Sequence, residues 1–379
     1  MANTQLTGTI TGSQISSNTL SNTVFQTGSV ENYMNAAGLG FGMRNRIING
    51  AMVIDQRNAG AAVTATTSYP YTLDRWQCGG SVSSKFTVQQ SSTAPTGFVY
   101  SSLITSSSAY TVGAGENFVF FQNIEGTNTA DLMWGTANAQ TVTLSFWVRS
   151  SLTGTFGGAI QNSATNRSYP FTYTISTANT FEYKTITIAG DTSGTWLTTN
   201  GIGIIVRYGL GVGATSSGTA GAWAGANYLS ATGAVSVVGT NAATWAVTGI
   251  QLEKGSTATS FDYRFYGTEL VLCQRYFQTI KGTGRHFIGG NGSVSGCFPT
   301  AYLRVTMRDT PSYSASSVSH FTVEGLTGGG QATATALSIN AVTLDTVTIQ
   351  ATSAGSASAT AAQVFGNTGA AMSSFSAEL

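Results

Sequence analysis

The stretch Thr141-Val-Thr-Leu-Ser-Phe-Trp-Val-Arg149 alternates: Val142, Leu144, Phe146 and Val148 fall on one face, and Thr141, Thr143, Ser145 and Arg149 on the other. Successive side chains of extended backbone point to opposite sides, so a period of two marks a strand with one face on a core and one toward water. FVFFQNI (118–124), TYTI (172–175), EYKTITI (182–188), IGIIVRY (202–208) and WAVTGIQL (245–252) read the same way. Turn-forming Gly, Ser and Thr separate them, most extensively over 211–228. Many short strands without long helical patterns predict an all-β chain whose main body, residues 43–266, is a jelly-roll-like β-sandwich.

One segment reads differently. ELVLCQRYFQ (269–278) holds no Gly or Pro, and Leu270, Cys273 and Phe277 recur at i, i+3, i+7. This spacing predicts a short helix with those three residues inward. It opens a second, smaller β domain over 267–379, with a strand expected in AYLRVTMR (301–308) and two or three short strands in 336–350. Cys273 then serves as a small buried hydrophobe, not a reactive thiol. Arg275, planar and always charged, is expected to form an ion pair across domains or subunits, and the segment's role is to stiffen the junction.

Composition narrows the function. The chain has 46 Gly and only 8% charged residues, against roughly 25% in an average soluble protein. Polarity comes instead from neutral hydroxyls. Net charge is +1 with no run of Lys or Arg, so a phosphate-binding surface for nucleic acid is not expected. Apolar runs are too short for membrane insertion, and the first residues lack the basic and apolar parts of a secretory signal. Cys78, Cys273 and Cys297 are too few and too scattered for a disulfide framework or zinc site, which suits folding under reducing conditions. Residues 1–42 form an arm whose larger apolar residues (Leu6, Ile10, Ile15, Leu20, Phe25, Val30) are isolated among Gly, Ser, Thr and Asn. Such a segment cannot enclose its own apolar residues; it predicts cover by other chains or a scaffold, as in an intertwined stem or docking arm, with a flexible tail as the alternative.

Asp74, Arg75 and Trp76 form either a binding triad or, as the preferred reading, a local Asp–Arg ion pair beside a core indole. Glu253 either bonds a sugar hydroxyl or, preferably, satisfies backbone donors where its strand ends. Asp262 and Arg264 are expected to form a second local pair. Glu116, Glu125 and Asp131 do not select a catalytic carboxylate pair by spacing, and His286 and His320 carry no nucleophile elbow or HExxH context. No enzyme activity and no cofactor or metal are expected. Sugar recognition pairs exposed rings with neutral hydrogen-bonding groups, and Trp223 with Tyr228, in the long loop, are the candidates for it. Trp223 equally suits anchoring that loop on its own sandwich or on a neighbouring subunit.

Seven motifs then occur in order: NRIINGAMVIDQRNAG (45–60), LDRWQC (73–78), LSFWVRSS (144–151), GIQLEKGSTATSFDYR (249–264), ELVLCQRYFQ (269–278), VTMRDTPSY (305–313) and the terminal FSAEL (375–379). The series, spanning residues 43–379, resembles structural proteins of tailed bacteriophages, especially tail fibre and appendage proteins. The resemblance implies a virion β-structural protein with a sandwich like those of carbohydrate-binding modules, often a homotrimer. Its arm would meet other virion proteins of tail, baseplate or capsid, and its body a host-surface glycan or receptor. A head or tail component without receptor binding is the alternative, and a polysaccharide-degrading tailspike the third. Assembly in the host cytoplasm with release by lysis fits reduced cysteines and a missing secretory signal.

Overall fold

Alternation becomes paired strands because a half-buried extended segment leaves its backbone groups to be satisfied by neighbours. A computed structural model describes residues 43–289, 292–293, 296–325, 331–353 and 362–379; the arm expected over 1–42 lies outside them. Residues 44–379 form one compact unit. Its first strands are β1 (Val63–Thr64), β2 (Trp76–Gly80), β3 (Phe86–Ser91), β4 (Ser101–Ser106) and β5 (Asn117–Glu125). There follow β6 (Val142–Ser150), β7 (Gly154–Gln161), β8 (Ser168–Ile175), β9 (Glu182–Ile188) and β10 (Ile202–Val212). A small parallel pair, β11 (Ser217–Gly218) and β12 (Ser230–Ala231), precedes β13 (Thr244–Lys254).

These strands build a six-stranded sheet, β1-β3-β4-β13-β6-β9, and a five-stranded sheet, β2-β5-β10-β7-β8. The chain passes repeatedly from one sheet to the other, the jelly-roll-like sandwich that alternation implied. Val142, Leu144, Phe146 and Val148 meet Phe118, Phe120, Val206 and Tyr208 in one core. Trp76 is buried there, stacked on Phe120 with centroids 4.8 Å apart. Each large side chain so buried contributes about 1.5–3 kcal/mol.

Helix α1 (Tyr266–Gln274) leads to the second set of strands. These are β14 (Phe277–Lys281), β15 (Arg285–Ile288), β16 (Gly292–Ser293), β17 (Gly296–Cys297), β18 (Thr300–Tyr302) and β19 (Ser312–Ala315). The remainder are β20 (Phe321–Gly325), β21 (Gln331–Val342), β22 (Thr346–Ser353), β23 (Ala362–Gly366) and β24 (Met372–Ser376). Strands β14, β24 and β19 make a small sheet. In the larger one the pairings β22-β18-β15-β23-β20-β21 return to β22, so they close a ring around Phe287, Val323, Val347, Ile349 and Val364. Closure removes the unpaired edges that open sheets must otherwise protect. The strand expected over 301–308 ends at Tyr302. Beyond it the backbone is diverted: Leu303 N donates to Asp345 O, Met307 N to Leu344 O, and the Gln278 amide brackets Arg304 N and Val305 O. No helix among the described residues is long and apolar enough to cross a membrane.

The two strand systems meet at α1. Cys273 and Tyr276 are buried with Ile48 and Ile54, and Leu270 packs against them. Phe277 lies past the helix and starts β14, paired with Ser376, so the i, i+3, i+7 pattern ran across a helix end. Arg275 reaches back to the sandwich and grips Glu125 through Nη2 at 2.8 Å and Nε at 3.2 Å. Tyr276 Oη donates to the same carboxylate at 2.6 Å.

The expected Asp74–Arg75 pair is not formed. Asp74, fully buried, accepts from Gln56 N and Nε2 at 2.6 and 2.8 Å. Arg75 points elsewhere: it pairs with Glu378, donates to Asn123 O at 2.7 Å, and lies 3.6 Å over the Tyr276 ring. The two residues sit in the turn before β2, where Arg75 takes a left-handed backbone at φ +71°, and this swings its side chain away from that of Asp74. Arg57 also joins Glu378 at 3.0 Å and covers the Phe277 ring. Asp262 and Arg264 likewise part company: Asp262 accepts from Asn45 N at 3.2 Å, and Arg264 approaches Glu269 at 3.4 Å. All three cysteines are free and buried, and burial pushes the Cys78 thiol up to about 12.

Removing Glu378 strands a buried guanidinium. Glu378→Ala is therefore expected to lower unfolding free energy by about 3–5 kcal/mol in urea denaturation. A second expectation concerns pH. Burial pushes the Glu125 carboxyl up, but bonds from Arg275, Tyr276 and Thr127 outweigh it and hold it below the usual carboxylate range. A depressed folded-state pKa gives stability that is complete above the unfolded value and lost as pH falls through the folded one. Urea stability followed from about pH 7 to about pH 3 should thus decline more steeply in the native chain than in Glu125→Gln.

Candidate functional site

The outward face of β6 is not uniformly polar. Thr143, Ser145 and Arg149 share it with Trp147, whose register partner across the β6–β9 pair is Tyr183. Their rings lie 5.4 Å apart, tilted by 46°. Tyr183 is 42% exposed, so the pair is open to solvent. Beside it stand three further rings: Phe98 from the loop before β4, and Phe261 and Tyr263 from the loop after β13. Centroid distances of 4.9–5.4 Å join these three. Together the five rings bound a groove of about 450 Å³ with Ser145, Thr96, Thr259 and Ser260. No charged side chain lines it.

Backbone detail shapes the floor. The β13–β6 ladder shifts register between Thr248 and Gln251, and Gly249 sits in the shift at φ +60°. A β-carbon there would stand 2.6 Å from the Phe98 ring and 3.2 Å from Trp147. Only glycine fits both the backbone and the rings.

The groove wall is held from behind. Glu253 is buried and accepts from Thr259 N at 2.9 Å, Thr259 Oγ1 at 2.7 Å and Gln251 Nε2 at 2.8 Å. Gln251 in turn accepts from Asp262 N at 2.8 Å. Glu253 therefore acts on backbone donors after its strand, and does so by positioning the loop that carries Phe261 and Tyr263. Tyr263 Oη donates to Gly97 O, which ties that loop to the one bearing Phe98. Partial burial raises the Tyr263 phenol above its ordinary value.

The loop pair singled out in the sequence lies elsewhere. Trp223 meets Trp134, Trp196 and Tyr169 edge-on at 5.3, 5.4 and 5.2 Å, and its Nε1 donates to Ala189 O at 2.8 Å. It anchors its loop on the chain's own sandwich. A side chain at Gly218 would collide with the Tyr228 ring, so Tyr228 is packed on that backbone and half-buried. Trp147 is not among the sequence candidates, because alternation singles out the inward face of β6; the signal for it is an indole in the outward register of an alternating strand.

The carboxylates Glu116, Glu125 and Asp131 are dispersed. Glu116 accepts from Tyr110 Oη and Gly113 N, Glu125 belongs to the junction, and Asp131 pairs with Arg46 at 2.7 Å. His286 is buried between Ser373 and Gly282 O, and burial lowers its pKa. Among the described residues no three His, Cys, Asp or Glu gather as a metal site.

No protein-family model matches the chain, and no curated protein does. Solved structures give distant likenesses. A candidate sugar-binding protein of Bacteroides thetaiotaomicron is 12% identical over 56% of this chain and 100% of its own, with a TM-score of 0.34. A family 61 carbohydrate-binding module solved with β-1,4-galactotriose is 12% identical over the same shares, with a TM-score of 0.27. The enzymatically active domain of tailspike protein 4 from bacteriophage CBA120 is 11% identical over 56% of this chain, with a TM-score of 0.30; the match spans only 21% of the tailspike chain. Similarity this distant adds nothing to what the chain's own sheets and groove establish.

The two kinds of tryptophan should separate on mutation. Trp76→Ala is expected to cost about 3–5 kcal/mol, as for a fully buried indole. Trp147→Ala should cost clearly less in the same denaturation experiment, because its ring is only partly covered.

Proposed function

We propose that this chain is a β-structural protein of a tailed-phage appendage that holds neutral glycans of a host surface in the Trp147–Tyr183 groove. One observation carries the binding: five rings and several neutral hydroxyls gathered, without any charge, in an open groove on a sheet face. Pyranose sugars present apolar C–H faces and rims of hydroxyls. Rings take the first and Ser145, Thr259 and Ser260 offer bonds to the second. A groove already held by Glu253 and the Tyr263–Gly97 bond loses little conformational freedom on binding, which favours affinity.

The virion setting rests on the ordered motif series. In that setting the chain is a homotrimer on the particle surface, with residues 1–42 docking it to other virion proteins. Several weak sites on one particle then act together through effective concentration. The reading is of binding without cleavage. Glycoside hydrolysis uses two carboxylates on one cleft, and no carboxylate lines the groove.

Calorimetry and glycan-array binding of the full chain test this, with light scattering on the same sample. Neutral oligosaccharides should bind, Trp147→Ala and Tyr183→Ala should each weaken binding about tenfold or more, and added salt should change little. Scattering should report a trimer; a stable monomer would contradict that part. A folded chain that ignores every neutral glycan would leave a purely structural role, and release of reducing ends would make it an enzyme.

A further inference from the structure

The closed ring of strands carries a second cleft, of about 550 Å³, that shares no residue with the groove. Val323 and Val364 lie in the ring's core, so their chain neighbours Glu324 and Gln363 stand on the opposite face. Glu324 is the register partner of both Gln363 and Gln331. A row of polar side chains follows, one from each of β15, β23, β20 and β21. Arg285 Nε donates to Gln363 Oε1, Gln363 Nε2 donates to one Glu324 oxygen, and Gln331 Nε2 donates to the other at 3.0 Å. Each group is thus oriented by the next. Alongside the row lie Phe365, half-buried, and Asn367, which donates to Thr322 Oγ1 at 3.2 Å.

An ordinary solvated sheet face would account for scattered polar groups. It accounts less well for this cleft, because the chain spends charge sparingly, at 8% of residues, and here sets one cation and one anion into the wall of a concavity. The opposite charges sum to zero. Amides and guanidinium offer donors, the carboxylate and amide oxygens offer acceptors, and Phe365 adds an apolar surface. Adjacent sugar hydroxyls, each both donor and acceptor, match such a row. An acidic ligand would meet the Glu324 charge. Bonds from Gln331 and Gln363 hold that carboxyl below the usual range, so it stays ionised near neutrality.

We propose that the cleft between Arg285, Glu324, Gln363, Phe365 and Asn367 is a second saccharide site, for a neutral hydroxylated ligand, independent of the aromatic groove. Hydrogen exchange with mass spectrometry on the full chain tests it. The chain carries Trp147→Ala and Tyr183→Ala to disable the groove, and the probes are maltotetraose, cellotetraose, mannotetraose and galactotetraose, with tetragalacturonate as the acidic comparison. At least one neutral probe should protect segments 283–288, 321–325 and 362–366. Adding Arg285→Ala or Asn367→Ala should weaken that protection about tenfold in ligand concentration. Asn367 lies in an exposed loop, so its variant keeps the test valid if Arg285→Ala perturbs folding. No protection by any neutral probe, protection that survives both substitutions, or preference for tetragalacturonate overturns the proposal. Because the groove is already disabled, none of these outcomes bears on the first site.

Discussion

Arg75 holds a positive charge where almost no water reaches it, 1% exposed on the floor of the junction. Burial alone would pull its pKa down; the Glu378 carboxylate outweighs this and keeps the guanidinium charged. An isolated ion in such a place costs several kcal/mol, so the arrangement stands only with both partners present. The Tyr276 ring beneath and Asn123 O beside it complete the cation's surroundings. Arg75 belongs to the sandwich, Tyr276 to the segment after α1, and Glu378 to the far end of the second strand system. The pair thereby joins residues 303 positions apart in the chain.

The rest of the junction is built around that closure. Arg308 donates to Ala377 O and Glu378 O, which holds the last segment in position. Tyr71 Oη and Asn123 Nδ2 both donate to Leu379 O. On the other side, Arg275 and Tyr276 converge on Glu125. The segment 249–264 links the junction to the groove: its first half shapes the floor at Gly249, and its end ties Asp262 and Arg264 to the backbone at Asn45. The segment is thus fixed at both ends, a useful property where binding relies on rings held ready.

The ordered motifs gain a physical meaning from this. LDRWQC, ELVLCQRYFQ, VTMRDTPSY and FSAEL are remote in sequence and adjacent in space, because each supplies part of one joint. LSFWVRSS and GIQLEKGSTATSFDYR instead supply the groove. A segment can be distinctive either because it must close a fold or because it must meet a ligand, and the residues alone do not say which.

Periodicity along the chain was enough to place most of the sandwich strands, the inward faces of β6 and its neighbours, the buried Trp76 and Cys273, and a short helix near 270. These follow from local rules: backbone geometry repeats every two or 3.6 residues, and apolar side chains leave water. Partners were not legible. Asp74 and Arg75 are neighbours in sequence yet bond to opposite sides, Trp223 folds back onto Trp134 and Trp196, and the stretch after Tyr302 bends away to meet Gln278. The groove was hidden for the same reason. Its rings come from the loop at Phe98, strands β6 and β9, and the loop ending at Tyr263, and only the packing of two sheets brings them together. A repeat tells which way a side chain faces; what it faces is decided by contacts between residues tens to hundreds of positions apart.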